Sequence, residues 1–147
     1  MGRDRTIQSI LILNIGYRLP VLAYCAIIYI QSSSPAGPGL DLSFPGFDKL
    51  LHFAGYAVLG VLASRWIRRE NPSFDPSKVA VLAAFFCLLY GFSDEVHQSF
   101  VAERSCEALD LLADAAGGAA GAFACYMLSN KRSKQRKGLG SKQEDTG

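Results

Sequence analysis

Apolar residues in this chain are gathered into four blocks and its charges into the segments between them, an arrangement open to few folds. The third block is the most restrictive. Residues 79–90 are Val, Ala, Leu, Phe, Cys and Tyr only, with no strongly polar position at either the helical or the strand period. A helix that is apolar on every side is either enclosed in the core of a large protein or surrounded by lipid, and 147 residues cannot enclose one well. The composition agrees, since half of the residues are apolar and 19% are charged, lean against roughly a quarter in soluble domains.

The other blocks cover residues 19–30, 50–66 and 109–128. Arg3 and Arg5 before the first block suggest a signal peptide, but Arg18 and the lack of an A-x-A site after Ile30 argue for an uncleaved span whose Arg18 snorkels to the headgroups. Ser, Pro and Gly make residues 31–47 a loop, and Asn71, Pro72, Asp75 and Pro76 make a turn. The expected fold is an all-α integral membrane bundle. It comprises a segment 1–16, four transmembrane helices over about 17–31, 49–66, 78–96 and 109–128, and a basic tail 129–147 expected to be disordered.

Lys and Arg set the orientation. With the first loop outside, thirteen of them fall on the cytoplasmic side, including Arg65, Arg68 and Arg69 around Trp66, and only Lys49 and Arg104 lie outside. Both termini are therefore expected in the cytoplasm. The basic run 131–137 reads as a topology signal in contact with lipid headgroups, and it is too short to argue for nucleic acid. Gly117 and Gly121, with Ala113 one turn earlier, give the fourth helix a smooth face that suits internal packing or a homo-oligomer.

A spanning helix needs about 20 residues, and the charge-free stretches of the last three blocks fall short of it. These helices must borrow polar residues, and on this topology all of them lie at the outer ends. Asp48, Lys49 and His52 open the second helix, Asp94, Glu95, His97 and Gln98 close the third, and Asp110 and Asp114 open the fourth. Lys49, His52 and Tyr56 follow i, i+3, i+7, Asp94 and Gln98 follow i, i+4, and Asp110 and Asp114 share a face with the two glycines. Polar stripes on three helices are expected to face one another in the bundle. Eight acids (Asp41, Asp48, Asp94, Glu95, Glu103, Glu107, Asp110 and Asp114) share that side with two bases, so coupled titration is expected among them.

The cysteines Cys25, Cys87, Cys106 and Cys125 offer no loop disulfide, and no spacing along the chain suggests a metal, a nucleotide or another cofactor.

At these polar residues the chain resembles the VanZ-like family of bacterial membrane proteins, over roughly residues 17–123. The resemblance is carried by Asp48-Lys49-Leu50-Leu51-His52-Phe53 with Tyr56, and by Asp94-Glu95-Val96-His97-Gln98-Ser99-Phe100 followed by Arg104 and Asp110. The chain departs from the family pattern at Ala102 and Glu103, where a Pro-Gly turn is usual, and at Asp114, where Asn is usual. The resemblance implies a four-helix protein of the bacterial inner membrane, associated in some members with lowered susceptibility to teicoplanin-like lipoglycopeptides, and no established reaction.

Three functions compete. In the first, an envelope accessory protein binds a lipid-linked cell-wall precursor, a lipid headgroup or a membrane partner protein, with Lys49 and Arg104 meeting an anionic group. The second is an enzyme on a lipid headgroup, with Glu95 or Asp94 as general base and His52 as acid or base; no nucleophile motif supports it, so binding is favoured. A proton or cation pathway ranks last, because the cytoplasmic halves of the second and third blocks hold almost no ionisable residue to continue it. The plain structural alternative is a hydrogen-bonded network that locks short helices together.

Overall fold

The computed structural model describes residues 11, 14–34, 46–102, 104 and 107–144, with side chains described as far as 131 and at 133 and 135. Asp41, Glu103 and Cys106 lie outside the described residues. A π-helical turn, Asn14–Arg18, leads into α1 (Leu19–Ser32); α2 is Phe47–Glu70, α3 is Pro76–Gln98 and α4 is Ala108–Glu144. Among the described residues there is no strand.

The helix ends follow from local chemistry. Pro20 stands in the first turn of α1, where a missing N–H costs nothing. Asp75 caps α3 by accepting from the backbone N–H groups of Ser77 (2.9 Å) and Lys78 (3.0 Å), with Pro76 opening the helix. The hydroxyl of Ser77, followed by those backbone bonds, holds the Asp75 carboxyl below its usual range. Asp48 in the first turn and Arg68 and Arg69 in the last complement the dipole of α2. Gly46, just before α2, has φ +84°, in the left-handed region. Gly46→Ala is therefore expected to cost about 1 kcal/mol, read as a lower melting midpoint of the detergent-solubilised protein.

The fourth helix does not stop at Leu128. It runs on to Glu144 through what composition suggested was a disordered tail. Lys, Arg and Gln are good helix formers, no proline interrupts the run, and the helix is already nucleated by its packed half.

The helices run alternately up and down. One end of the bundle gathers the C-terminus of α1, the N-terminus of α2, the C-terminus of α3 and the N-terminus of α4, as the Ser32–Asp94 and His52–Asp114 contacts show. At the other end Arg18 pairs with Glu70, which also accepts from the Trp66 indole at 2.6 Å, and Arg68 reaches Ser129.

Helices α2 and α4 touch backbone to backbone. A Cβ on Gly117 would collide with the carbonyl of Phe53, and one on Gly121 with that of Ala57; Gly60 meets Gly118 in the same way. The glycine face of α4 is thus taken up inside the chain.

The polarity of the bundle is inverted relative to a soluble one. Asp94, Glu95, Gln98, Asp110 and Asp114 are buried, beside a small core of Val21, Ile28, Tyr56, Leu59 and Cys87. Leu22, Ile30, Val81, Phe85, Leu112 and Phe123 are each more than half exposed. Such a surface suits lipid. Three helical segments, Phe47–Glu70, Pro76–Gln98 and Ala108–Lys131, are long and apolar enough to cross a membrane, as a multi-pass membrane protein requires. With 14 residues α1 by itself spans only about 21 Å at 1.5 Å per residue, short of the ~30 Å hydrocarbon core, and the π-helical turn before it carries the helical run back to Asn14.

Candidate functional site

The polar stripes meet at one end of the bundle in three linked groups. In the outermost, the Lys49 ammonium lies 2.7 Å from Asp48, 2.6 Å from Glu107 and 2.7 Å from Asp110. One cation from α2 thereby gathers carboxylates from both sides of the α2–α4 seam.

The second group lies deeper. His52 Nδ1 is 2.9 Å from Asp114 Oδ1, and its Nε2 is 4.0 Å from Asp110. Glu95, on α3, accepts the Glu107 backbone N–H at 3.0 Å through Oε2, so its side chain caps the start of α4, where the helix dipole favours a negative charge.

The third group ties α1 to α3. Asp94 Oδ2 accepts from the Ser32 hydroxyl at 2.8 Å and from Gln98 Nε2 at 3.0 Å. Arg104 donates from Nε to the Ser34 carbonyl (3.1 Å), from Nη2 to the Gln31 carbonyl (3.3 Å) and from Nη1 to Gln98 Oε1 (3.5 Å). A guanidinium at the C-terminus of α1 satisfies carbonyls that the helix leaves unpaired. Arginine has five N–H donors, so two remain uncommitted here among the described residues. Two of the three bonds that Arg104 makes hold the end of α1 in place, a role beyond the anion contact expected of it.

A cavity of about 420 Å³ opens between α1 and α2 onto this end. Tyr24, Ile27, Ile28, Leu51 and Val58 line its apolar part, and Ser32, Asp48, His52, Asp94, Gln98 and Arg104 its polar part. A larger one, about 720 Å³, lies at the opposite end beside Arg65, Arg68 and Arg69, away from the acids. Chemistry, not size, picks out the first.

Nine of the expected residues, Asp48, Lys49, His52, Asp94, Glu95, Gln98, Arg104, Asp110 and Asp114, stand together at this end. Tyr56 sits a turn deeper, in the core with Leu59 and Cys87, and its hydroxyl is buried without a hydrogen-bond partner among the described residues. Sequence reasoning missed the contribution of α1. Ser32, Ser33 and Ser34 read as loop, yet Ser32 is buried against Asp94 and Ser33 Oγ lies 2.9 Å from His97 Nε2, whose ring centroid is 4.4 Å from that of Tyr29 in a tilted pair. A run of hydroxyls directly after an apolar block, level with the acids of the other helices, was the available signal. Metal-compatible donors were missed as well, because they come from different helices: His52, Glu95 and Asp114 form one such set, and Asp48, Glu107 and Asp110 another.

A family model described as VanZ/LLP1 matches residues 6–129. The chain belongs to the VanZ/LLP1 family. No curated protein and no solved structure matches it. In this VanZ/LLP1 chain the matched span takes in all three polar groups.

Proposed function

We propose that this VanZ/LLP1 chain crosses the bacterial inner membrane four times with both termini in the cytoplasm, and that its outer polar end receives the anionic head of a lipid-linked envelope molecule. The observation that carries this reading is the cavity between α1 and α2, apolar along its length and polar at one end, where Arg104 is among the residues that line it. That is the shape of an amphiphile. An arginine fork suits a phosphate, and the neighbouring Asp94, His52 and Gln98 offer bonds to hydroxyl or amide groups on the same head. The excess of Lys and Arg on one side supports the orientation.

Sequestering or remodelling such a molecule would alter lipoglycopeptide susceptibility. The test is teicoplanin and vancomycin susceptibility in a susceptible Gram-positive host expressing wild type, Glu95→Gln or Arg104→Lys at matched membrane levels. Wild type is expected to shift teicoplanin selectively, and each substitution to return the inhibitory concentration to that of the empty host. No shift from well-expressed wild type would detach the chain from this role.

One observation favours a second reading, an enzyme on the same headgroup: His52, oriented by Asp114 at 2.9 Å, lines the cavity as a general base would. Turnover of radiolabelled envelope lipids by the purified protein distinguishes it from binding.

A further inference from the structure

The two acidic groups flanking the α2–α4 seam differ in one respect. Asp48, Glu107 and Asp110 converge on Lys49, whose ammonium lies 2.6–2.7 Å from all three. The protein supplies that set with its own cation. In the inner set, His52, Glu95 and Asp114, each residue offers a donor atom and all lie within 4.8 Å of one another. Among the described residues, no Lys or Arg comes within ion-pair distance of Glu95 or Asp114.

The carboxylates there are also incompletely used. Asp114 is fully buried and Glu95 is 1% exposed, yet Asp114 Oδ2 and Glu95 Oε1 have no hydrogen-bond partner among the described residues. Buried carboxylate oxygens left in this state are costly, more so in a membrane. Packing holds them there. A Cβ on Gly91 would lie 3.0 Å from Asp114 Oδ2, so glycine lets the Asp114 carboxylate press against α3 one turn below Glu95. The Glu107 N–H bond to Glu95 Oε2 leaves the Oε1 atom as the available donor.

We propose that His52, Glu95 and Asp114 bind one divalent transition-metal ion. Two ligands about 2.1 Å from one ion can stand up to about 4.2 Å apart, so a small rotation of the long Glu95 side chain closes the set. One imidazole and two carboxylates match Mn²⁺, Fe²⁺ or Zn²⁺, whereas Ca²⁺ and Mg²⁺ take oxygen ligands. Two carboxylates neutralise the ion's charge, and three protein donors leave a coordination position for water or an anionic oxygen. The proposal stands whether or not the cavity takes a lipid.

The test uses full-length protein in detergent, stripped with a chelator and titrated with Mn²⁺, with free Mn²⁺ followed by paramagnetic resonance. One Mn²⁺ per chain is expected, displaced by Zn²⁺, with affinity at least tenfold weaker in His52→Gln and Glu95→Gln and unchanged in Asp48→Asn. Mn²⁺ should also raise the melting midpoint of wild type. That shift should vanish in whichever of the two inner variants elutes as a folded species, and wild-type stoichiometry decides the matter if neither does. Absence of Mn²⁺ binding by wild type at millimolar metal would overturn the proposal, as would equal binding in the His52 variant or a loss confined to Asp48→Asn.

Discussion

Gly121→Val is expected to lower the stability of the folded bundle by about 3 kcal/mol or more and to remove most of the monodisperse species recovered in detergent. The reason is backbone proximity. A Cβ at position 121 would overlap the Ala57 carbonyl and crowd the Val61 backbone nitrogen, at 3.1 Å. Neither is the end of a flexible side chain that can turn aside. To admit the branched side chain α4 must move away from α2, and the outer Lys49 contacts to Glu107 and Asp110 and the His52 contact to Asp114 cross that seam. Gly55→Ala is the matched control. Its Cβ would meet only the Tyr24 hydroxyl, at 3.9 Å, so it should leave the midpoint unchanged or slightly raised through helix propensity. Equal loss in both variants would show that the α2–α4 approach is not what the glycines serve.

Lys49→Met is expected to destabilise by about 2–3 kcal/mol, read in thermal or denaturant unfolding of the solubilised protein. Removing one partner of a buried ion pair costs about 3–5 kcal/mol, because the other charge is left without compensation. Only part of that applies here: the Asp110 side chain is 9% exposed, but those of Asp48 and Glu107 are 59% and 46% exposed and regain water when the ammonium is lost. Two consequences separate this account from a loss of packing. Adding Asp110→Asn to Lys49→Met should recover most of the loss, since the buried charge is then gone too. The deficit of Lys49→Met should also shrink at high salt, which screens the repulsion among the exposed carboxylates.

These effects bear on the proposed function through α1. The cavity wall it contributes is held at its outer end by Arg104 and by Ser32 on Asp94, so Arg104→Lys acts twice, removing donors from the cavity and loosening the helix that bounds it. Hydrogen exchange at the amides of residues 29–33 tells the two apart. Faster exchange in Arg104→Lys marks the loss of the wall, and unchanged exchange with lost susceptibility marks the loss of the ligand contact.

Much was legible in the chain itself. The all-helical class, the four helices, the charge-poor third block and the gathering of Asp48, Lys49, His52, Asp94, Glu95, Gln98, Asp110 and Asp114 at one end all follow from residue order. Hydropathy and i, i+3, i+4 spacing are properties of a single helix, and an up-and-down chain brings alternate ends together. Pairings between helices have no such local trace. His52 and Asp114 are 62 residues apart, and whether Lys49 meets Asp110 or Asp94 depends on the rotation and depth of each helix in the bundle. Only the tertiary structure could decide that the glycines of α4 lie on α2, that Arg104 closes the end of α1, and that a histidine and two carboxylates from three helices share one buried place. Those outcomes are set by backbone approach and side-chain packing, which no spacing along the chain records.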